Sequence, residues 1–384
     1  MAFDSPDVQN YARGLEGVIA AISAISAIDG QEGKLVYRGI DIESLAEHST
    51  FEETTYLLMF GDLPTRDELA NFTMDLKEKR DVPHEIIDIL EKLPHDAHPM
   101  DILKTAISAL GTFDPDKDSD TRGSRIRKAI RIIAQVPTIV AYTHRISEGL
   151  EIIPPSKKFS HAKNFLYMVS GEEPNERDAK IFDIALILHA DHGLNASTFS
   201  SLVTISTLSD IYSAITSAVG TLKGPLHGGA NERVLDMLAE IGTPDNVENY
   251  IKEAVEKKKK IMGFGHRVYR AYDPRARILR KYAEMLATER NERSCCEMAN
   301  RIEAVMKELF EEKGIFPNVD FYSGVVYRWF GIPKRLFTPV FAIGRVSGWV
   351  SHVLEYLQAN RIFRPRAIYN GPIDVEYIPI EERS

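Results

Sequence analysis

Apolar residues recur every three to four positions through most of this chain, while the strict alternation of a half-buried strand is almost absent. Near the start, "GKLVYRGIDI" predicts one short strand, Leu35 to Arg38, followed by two helices. Thr65 stands three residues ahead of Glu68, a capping box that predicts a helix start, and "MDILKTAISALGTF" keeps the helical spacing. Long apolar stripes follow in "AIRIIAQVPTIVAYTHRI" and "AKIFDIALILHADHGLNASTFSSLVTISTLSDIYSAITSAVG". The runs 114–124 and 171–178 are polar and read as loops. The pattern predicts a mainly α protein with roughly a dozen helices or more at ordinary helix lengths.

The helical rhythm breaks at "LKGPLHGGAN" (222–231), and the block beyond it is more charged until apolar character returns at "GVVYRWFGIP". This predicts a smaller helical domain over residues 220–325, inserted into a larger one formed by 1–219 and 326–384. A cleft between the two is the expected ligand site.

Composition narrows the partners. Of 384 residues, 47 are basic and 56 acidic, a formal charge of -9 that argues against a nucleic-acid surface. An anionic ligand must therefore meet a local cluster of arginines. Cys295 and Cys296 are adjacent and are the only cysteines, which leaves no disulfide framework or CxxC knuckle and fits a reducing, cytoplasmic location. The first residues carry Asp4 and Asp7 where a signal peptide needs positive charge, and no apolar run reaches membrane-spanning length.

Four histidines and an aspartate sit at breaks in the helical pattern. His189 and His192 are three apart, a spacing that suits a metal, but there is no HExxH and no third ligand; the other reading is a hydrogen-bonded pair at a helix end broken by Gly193. His227, in "GPLHGGANE", precedes a helix whose positive end keeps the ring neutral, which suits hydrogen bonding to an enolate oxygen or, equally, helix capping. His266 lies in "GFGHRVYRAYDPRARIL". That loop fails as a dinucleotide fingerprint, because it follows a lysine-rich helix and has Tyr269 where the last glycine belongs. Asp273 and Pro274 predict a helix start there, and Arg275 then adds positive charge to a positive helix end, which is costly unless an anion binds. Asp320, between Val319 and Phe321, is either a base whose pKa its apolar neighbours raise or an Asx-turn residue. Arg345 lies in an apolar helix, and Arg364 and Arg366 flank Pro365. Such guanidinium groups point to a polycarboxylate ligand.

The motifs "LHADHGLNASTF", "GPLHGGANE", "GFGHRVYRAYDPR", "FPNVDFYSG", "GRVSGWVSHVLE" and "RPRAIYNGP" occur in one order, and in that order the chain resembles citrate synthases. The resemblance runs from "GLEGVIAAISAISAIDG" to the C-terminus. It implies the all-helical citrate synthase fold, with a large and a small domain closing over the substrates of a homodimer. It also implies condensation of acetyl-CoA with oxaloacetate, then thioester hydrolysis, with no metal or redox cofactor. By the same resemblance Asp320 matches the base, His227 the donor to the enolate oxygen, and His266 the residue that polarises the ketone. His189, Arg275, Arg345 and Arg364 match the carboxylate ligands, Arg364 reaching in from the partner subunit. The run Lys257, Lys258, Lys259, Lys260 and Ile261 falls where related enzymes bind CoA, and Arg80 is a weaker ligand candidate. The nearest rival is a 2-methylcitrate synthase using propionyl-CoA, or dual activity. From other classes, the His189/His192 and His352/Glu355 pairs suggest a metal-dependent hydrolase, and a helical binding scaffold would leave Arg345 unexplained.

Overall fold

Residues 11–291 and 293–383 are described by a computed structural model. A small antiparallel meander comes first: β1 (Ser26–Asp29), β2 (Lys34–Tyr37) and β3 (Ile40–Asp41), with Ser26 opposite Tyr37. The first five helices are α1 (Ile42–His48), α2 (Phe51–Phe60), α3 (Arg66–Glu78), α4 (His84–Lys92) and α5 (Pro99–Phe113). Then come α6 (Arg122–Ser147), α7 (His161–Ser170), α8 (Glu176–His189), α9 (Ala196–Ser206) and α10 (Ile211–Leu222). After the break at 223–229 follow α11 (Ala230–Ile241), α12 (Val247–Glu256), α13 (Pro274–Glu289), α14 (Ser294–Phe310), α15 (Val319–Trp329) and α16 (Phe337–Tyr356).

Two helices have almost no solvent face. α6 is buried without interruption from Lys128 to His144, and α16 at nearly every position from Phe337 to Val353. A helix that is apolar all round belongs at the centre of a larger protein. α16 accordingly packs against α2, α5, α6, α8, α9, α10 and α11, while α11 and α13 both pack on α15, and α12 on α14.

The predicted strand is β2, shifted by one residue. β1 and β3, of four and two residues, are too short to show an alternation in sequence. The capping box of α3 forms as predicted, with both Thr65 and Glu68 side chains engaged. Two predicted loops end early. α6 starts inside 114–124 because Thr121 accepts the Ser124 amide, and α8 starts inside 171–178 because Asn175 accepts the Asp178 amide. No helix among the described residues is long and apolar enough to cross a membrane, and Cys295 and Cys296 are buried thiols.

Candidate active site

The helices around the site start on polar caps. Asn195, Asp273 and Asn318 cap α9, α13 and α15, each accepting a first-turn amide. These caps fix where the chain turns, and the candidate residues occupy the turns.

His227 lies in the turn before α11, but its ring addresses a different helix. Nε2 accepts the backbone N–H of Ser197 at 3.3 Å, in the first turn of α9, and lies 2.7 Å from Ser197 Oγ. An acceptor at Nε2 leaves the ring proton on Nδ1. Burial first, then the charges of Arg345 and Arg267, push its pKa down to about 4, so the ring is neutral at pH 7. The predicted neutrality holds, but burial is its main cause rather than the dipole of the following helix.

His266 has the opposite tautomer. Its Nδ1 accepts the backbone N–H groups of Val268 at 3.0 Å and Tyr269 at 3.2 Å, which puts the proton on Nε2. Burial and Arg275 hold its pKa down at about 4. The loop is tied to the start of α15: Gly265 N–H donates to Phe316 O, Asn318 N–H to Gly263 O, and Asn318 Nδ2 to Gly265 O. Gly263 has φ +78, and a Cβ there would sit 2.7 Å from the Cβ of Phe321. Only glycine permits that approach.

Asp320 is the second residue of α15, half-buried. Burial raises its pKa to about 6, against the opposing pull of Arg275 and Arg345. Both arginines are nearly fully buried. Arg275 forms a two-pronged pair with Asp273, Nε to Oδ1 at 3.0 Å and Nη2 to Oδ2 at 2.8 Å, and Asp273 also takes the Val319 amide at 3.1 Å. The anion demanded by a guanidinium at that helix start is therefore supplied from within the chain, by the cap itself. Arg345 forms no salt bridge among the described residues; its Nε donates to His189 O at 2.6 Å and its guanidinium lies over the Phe341 ring. Burial lowers its pKa to about 10, partly offset by Asp191.

His189 and His192 do not share a helical face. α8 ends at His189, and His192 lies beyond it. His189 is fully buried, with Nδ1 2.6 Å from Ala185 O and its ring against Phe341. His192 instead packs against His266, ring centroids 5.1 Å apart, with Nε2 3.2 Å from Tyr269 Oη. Burial and the charges of Arg275, His266 and Arg345 hold its pKa well below the usual value. The structure thus gathers His192, His227, His266, Asp320, Arg275 and Arg345, whereas sequence reasoning had read His192 as half of a metal pair or of a hydrogen-bonded pair at a helix end. Its one sequence signal was Gly193, which marks where the helix must stop. Among the described residues no group of three or more His, Cys, Asp or Glu is arranged to hold a metal ion.

The remaining candidates stand apart. Arg80 is buried where the chain leaves α3, donating through Nη1 to Ser156 O at 2.6 Å and Phe159 O at 3.0 Å, so it serves a loop of the large helical core. Arg364 is exposed and donates to Pro365 O. The lysine run begins at the C-cap of α12: Lys257 pairs with Glu253 and Lys259 with Glu240, while Ile261 is buried.

A carboxyl with a raised pKa, two neutral imidazoles with fixed donors and two buried guanidinium groups form the kind of cluster an enzyme site for an anionic, carbonyl-bearing substrate requires. The sequence profile described as citrate synthase, C-terminal domain, matches residues 14–366. Over 376 residues the chain is 49% identical to a citrate synthase of Deinococcus radiodurans, covering 98% of this chain and 100% of that one. A 2-methylcitrate synthase of Corynebacterium glutamicum is 42% identical over 97% of this chain and 98% of its own length. The citrate synthase structure from Pyrobaculum aerophilum superposes with a TM-score of 0.92 at 43% identity, covering 97% of this chain and 95% of that one. A ternary complex of carboxymethyl coenzyme A and oxaloacetate with the citrate synthase of Thermoplasma acidophilum also gives 0.92, at 36% identity, over 97% and 99%. The chain belongs to the citrate synthase family, has its fold and is an acyltransferase.

Proposed function

We propose that this chain joins the methyl carbon of acetyl-CoA to the ketone carbon of oxaloacetate and, with water, releases citrate and CoA, the entry step of the tricarboxylic acid cycle. The observation that carries the reading is the pair of fixed, opposite tautomers. His227 offers Nδ1–H and His266 offers Nε2–H, the other nitrogen being occupied by one backbone amide in His227 and by two in His266. Asp320 takes a methyl proton while His227 Nδ1–H steadies the oxygen of the forming enolate. The enolate carbon attacks the ketone, whose oxygen His266 Nε2–H polarises and then protonates. Water hydrolyses the thioester of the resulting citryl-CoA. Neutral donors suit this role, since an imidazolium would surrender its proton too early.

Arg275, Arg345 and His192 hold the oxaloacetate carboxylates, with His189 behind them buttressing the helix end. Arg364 completes the site from the other copy of a homodimer. Closure of the smaller domain, 220–325, on the larger excludes water and protects the thioester. At the CoA end, Lys258 and Lys260 are the readier phosphate contacts, because Lys257 and Lys259 already meet carboxylates. The residues named carry the proton transfers of the condensation, and the proposed route calls for no metal or redox cofactor. The enzyme works in the cytoplasm, without nucleic-acid or membrane partners.

The test is CoA release from acetyl-CoA, which must depend on oxaloacetate; release without it, or none with it, overturns the reading. Propionyl-CoA is the second arm, prompted by the 2-methylcitrate synthase relative. A methylene is worth only about 1–3 kcal/mol of discrimination, so measurable propionyl-CoA turnover is expected. A kcat/KM higher for propionyl-CoA than for acetyl-CoA would reverse the preference.

A further inference from the structure

Behind His192 lies a buried histidine–carboxylate contact that the proposed chemistry does not use. His352 on α16 points Nε2 at the Asp191 carboxylate, 3.2 Å from Oδ1 and 3.3 Å from Oδ2. Both residues are buried, Asp191 completely. On the far side, Ser26 Oγ donates to Asp191 Oδ2 at 2.5 Å and the Gly193 amide donates to the same oxygen at 3.1 Å. Burial pushes this carboxyl's pKa up, but His352, Arg345 and Ser26 together outweigh it and hold the pKa below the ordinary value, so it is charged at neutral pH. His352 and Glu355 do not converge on a common point either, since Glu355 accepts from Arg38 and from the Ala24 amide.

The pair belongs to a clamp on one short turn. His189 O accepts from Arg345 Nε, and Ala190 O from the Gly348 amide at 3.0 Å. Asp191 O accepts from Tyr37 Oη at 2.8 Å, and the Gly193 amide also donates to Ser26 Oγ at 3.0 Å. Arg345, Gly348 and His352 are spaced three and four apart, so one stripe of α16 supplies three of these contacts. A Cβ on Gly348 would lie 2.3 Å from Ala190 O and 2.5 Å from Asp191 Oδ1. The turn therefore lies directly against the helix backbone, and His192 is the one residue of 189–193 that projects to His266.

We infer that His352 is a positioning residue: through Asp191 it fixes the turn 189–193, which presents His192 to the oxaloacetate side of the pocket. The inference rests on the function proposed above and names a residue that never touches substrate. Removing one partner of a buried pair leaves an uncompensated charge that must recruit water or turn away, and the turn moves with it. Misplacement by about 1 Å far from the reacting atoms can cost about a hundredfold in rate.

The test is oxaloacetate binding by calorimetry, without thioester, on the wild type, His352→Ala, His352→Gln and Ser26→Ala. Gln keeps an N–H donor near the place of Nε2. The expected result is an oxaloacetate Kd weakened about tenfold or more in His352→Ala, equivalent to about 1.4 kcal/mol, and largely restored in His352→Gln. Ser26→Ala should show a smaller loss in the same direction. Wild-type binding in His352→Ala, or equal loss in the Gln and Ala variants, overturns the inference. If His352→Ala does not fold, unchanged binding in both remaining variants overturns it, and weaker binding in Ser26→Ala with near wild-type binding in His352→Gln supports it. A wild-type protein that fails to bind oxaloacetate refutes the proposed function instead, and the inference with it.

Discussion

Asp320 is asked to be both buried enough to hold a proton and charged enough to take one. With a pKa of about 6 it is mostly ionised at pH 7, and it becomes protonated as the pH falls below that. The expected kcat/KM profile is flat above neutrality and falls on the acid side with an apparent pKa near 6. Asp320→Asn should lower kcat by about 10²- to 10⁴-fold, the usual worth of a positioned base. The same change bears on stability, with a sign set by the raised pKa. The native state binds this proton more tightly than the unfolded chain, so the residue's contribution to stability falls as pH rises from about 4 through 6. Asp320→Asn should therefore melt higher than wild type at pH 7.5, and the gain should vanish toward pH 4. A variant less stable than wild type at pH 7.5 would count against the burial argument. Residues of this kind were legible in the sequence where their type and spacing announce them: His227, His266, Asp320, Arg275 and Arg345 all reach the cluster. His192 was misjudged because a single sequence shows two histidines three apart, and only the end of α8 separates the buried one from the one at the pocket.

At the scale of elements, the His266 loop depends on backbone that no other residue can supply. Gly263→Ala must relieve both a left-handed φ and contact with Phe321, so it should cost about 1–3 kcal/mol in urea denaturation and lower kcat/KM as His266 shifts. Unaltered turnover would show that the loop tolerates rearrangement. The helical class and the starts of α3 and α13 could be read from apolar spacing and from the caps Thr65 and Asp273, while α6 and α8 start inside segments read as loops. What could not be read were pairings between distant segments. Ser26 and Tyr37 lie in short strands that reach Asp191, and nothing in "SAID" or "KLVY" signals a partner more than a hundred residues away. Arg80 misled for the same reason: a buried arginine is chemically ready for an anion, yet here two loop carbonyls satisfy part of it.

Across the whole molecule, the segment beyond α16 is extended and exposes Ile362, Tyr369, Val375, Tyr377 and Ile380, apolar surface that the proposed homodimer offers a place to bury. Sedimentation should give twice the 43.2 kDa chain mass. Arg364→Ala and Asp320→Asn should each be inactive or nearly so, yet regain activity when subunits are mixed, because a hybrid dimer holds one intact site. No recovery on mixing would place Arg364 outside the partner's pocket. The two kinds of helix in this fold also imply a contrast in amide hydrogen exchange. Arg345 and His352 ride on α16, which has almost no solvent face, whereas His266 follows directly on two left-handed glycines, Gly263 and Gly265. Deuterium should enter residues 263–269 long before it reaches 340–353. Such a result would mean that the α16 side of the cluster is anchored in a slow-opening part of the protein while the His266 side breathes many times for each opening of its neighbour.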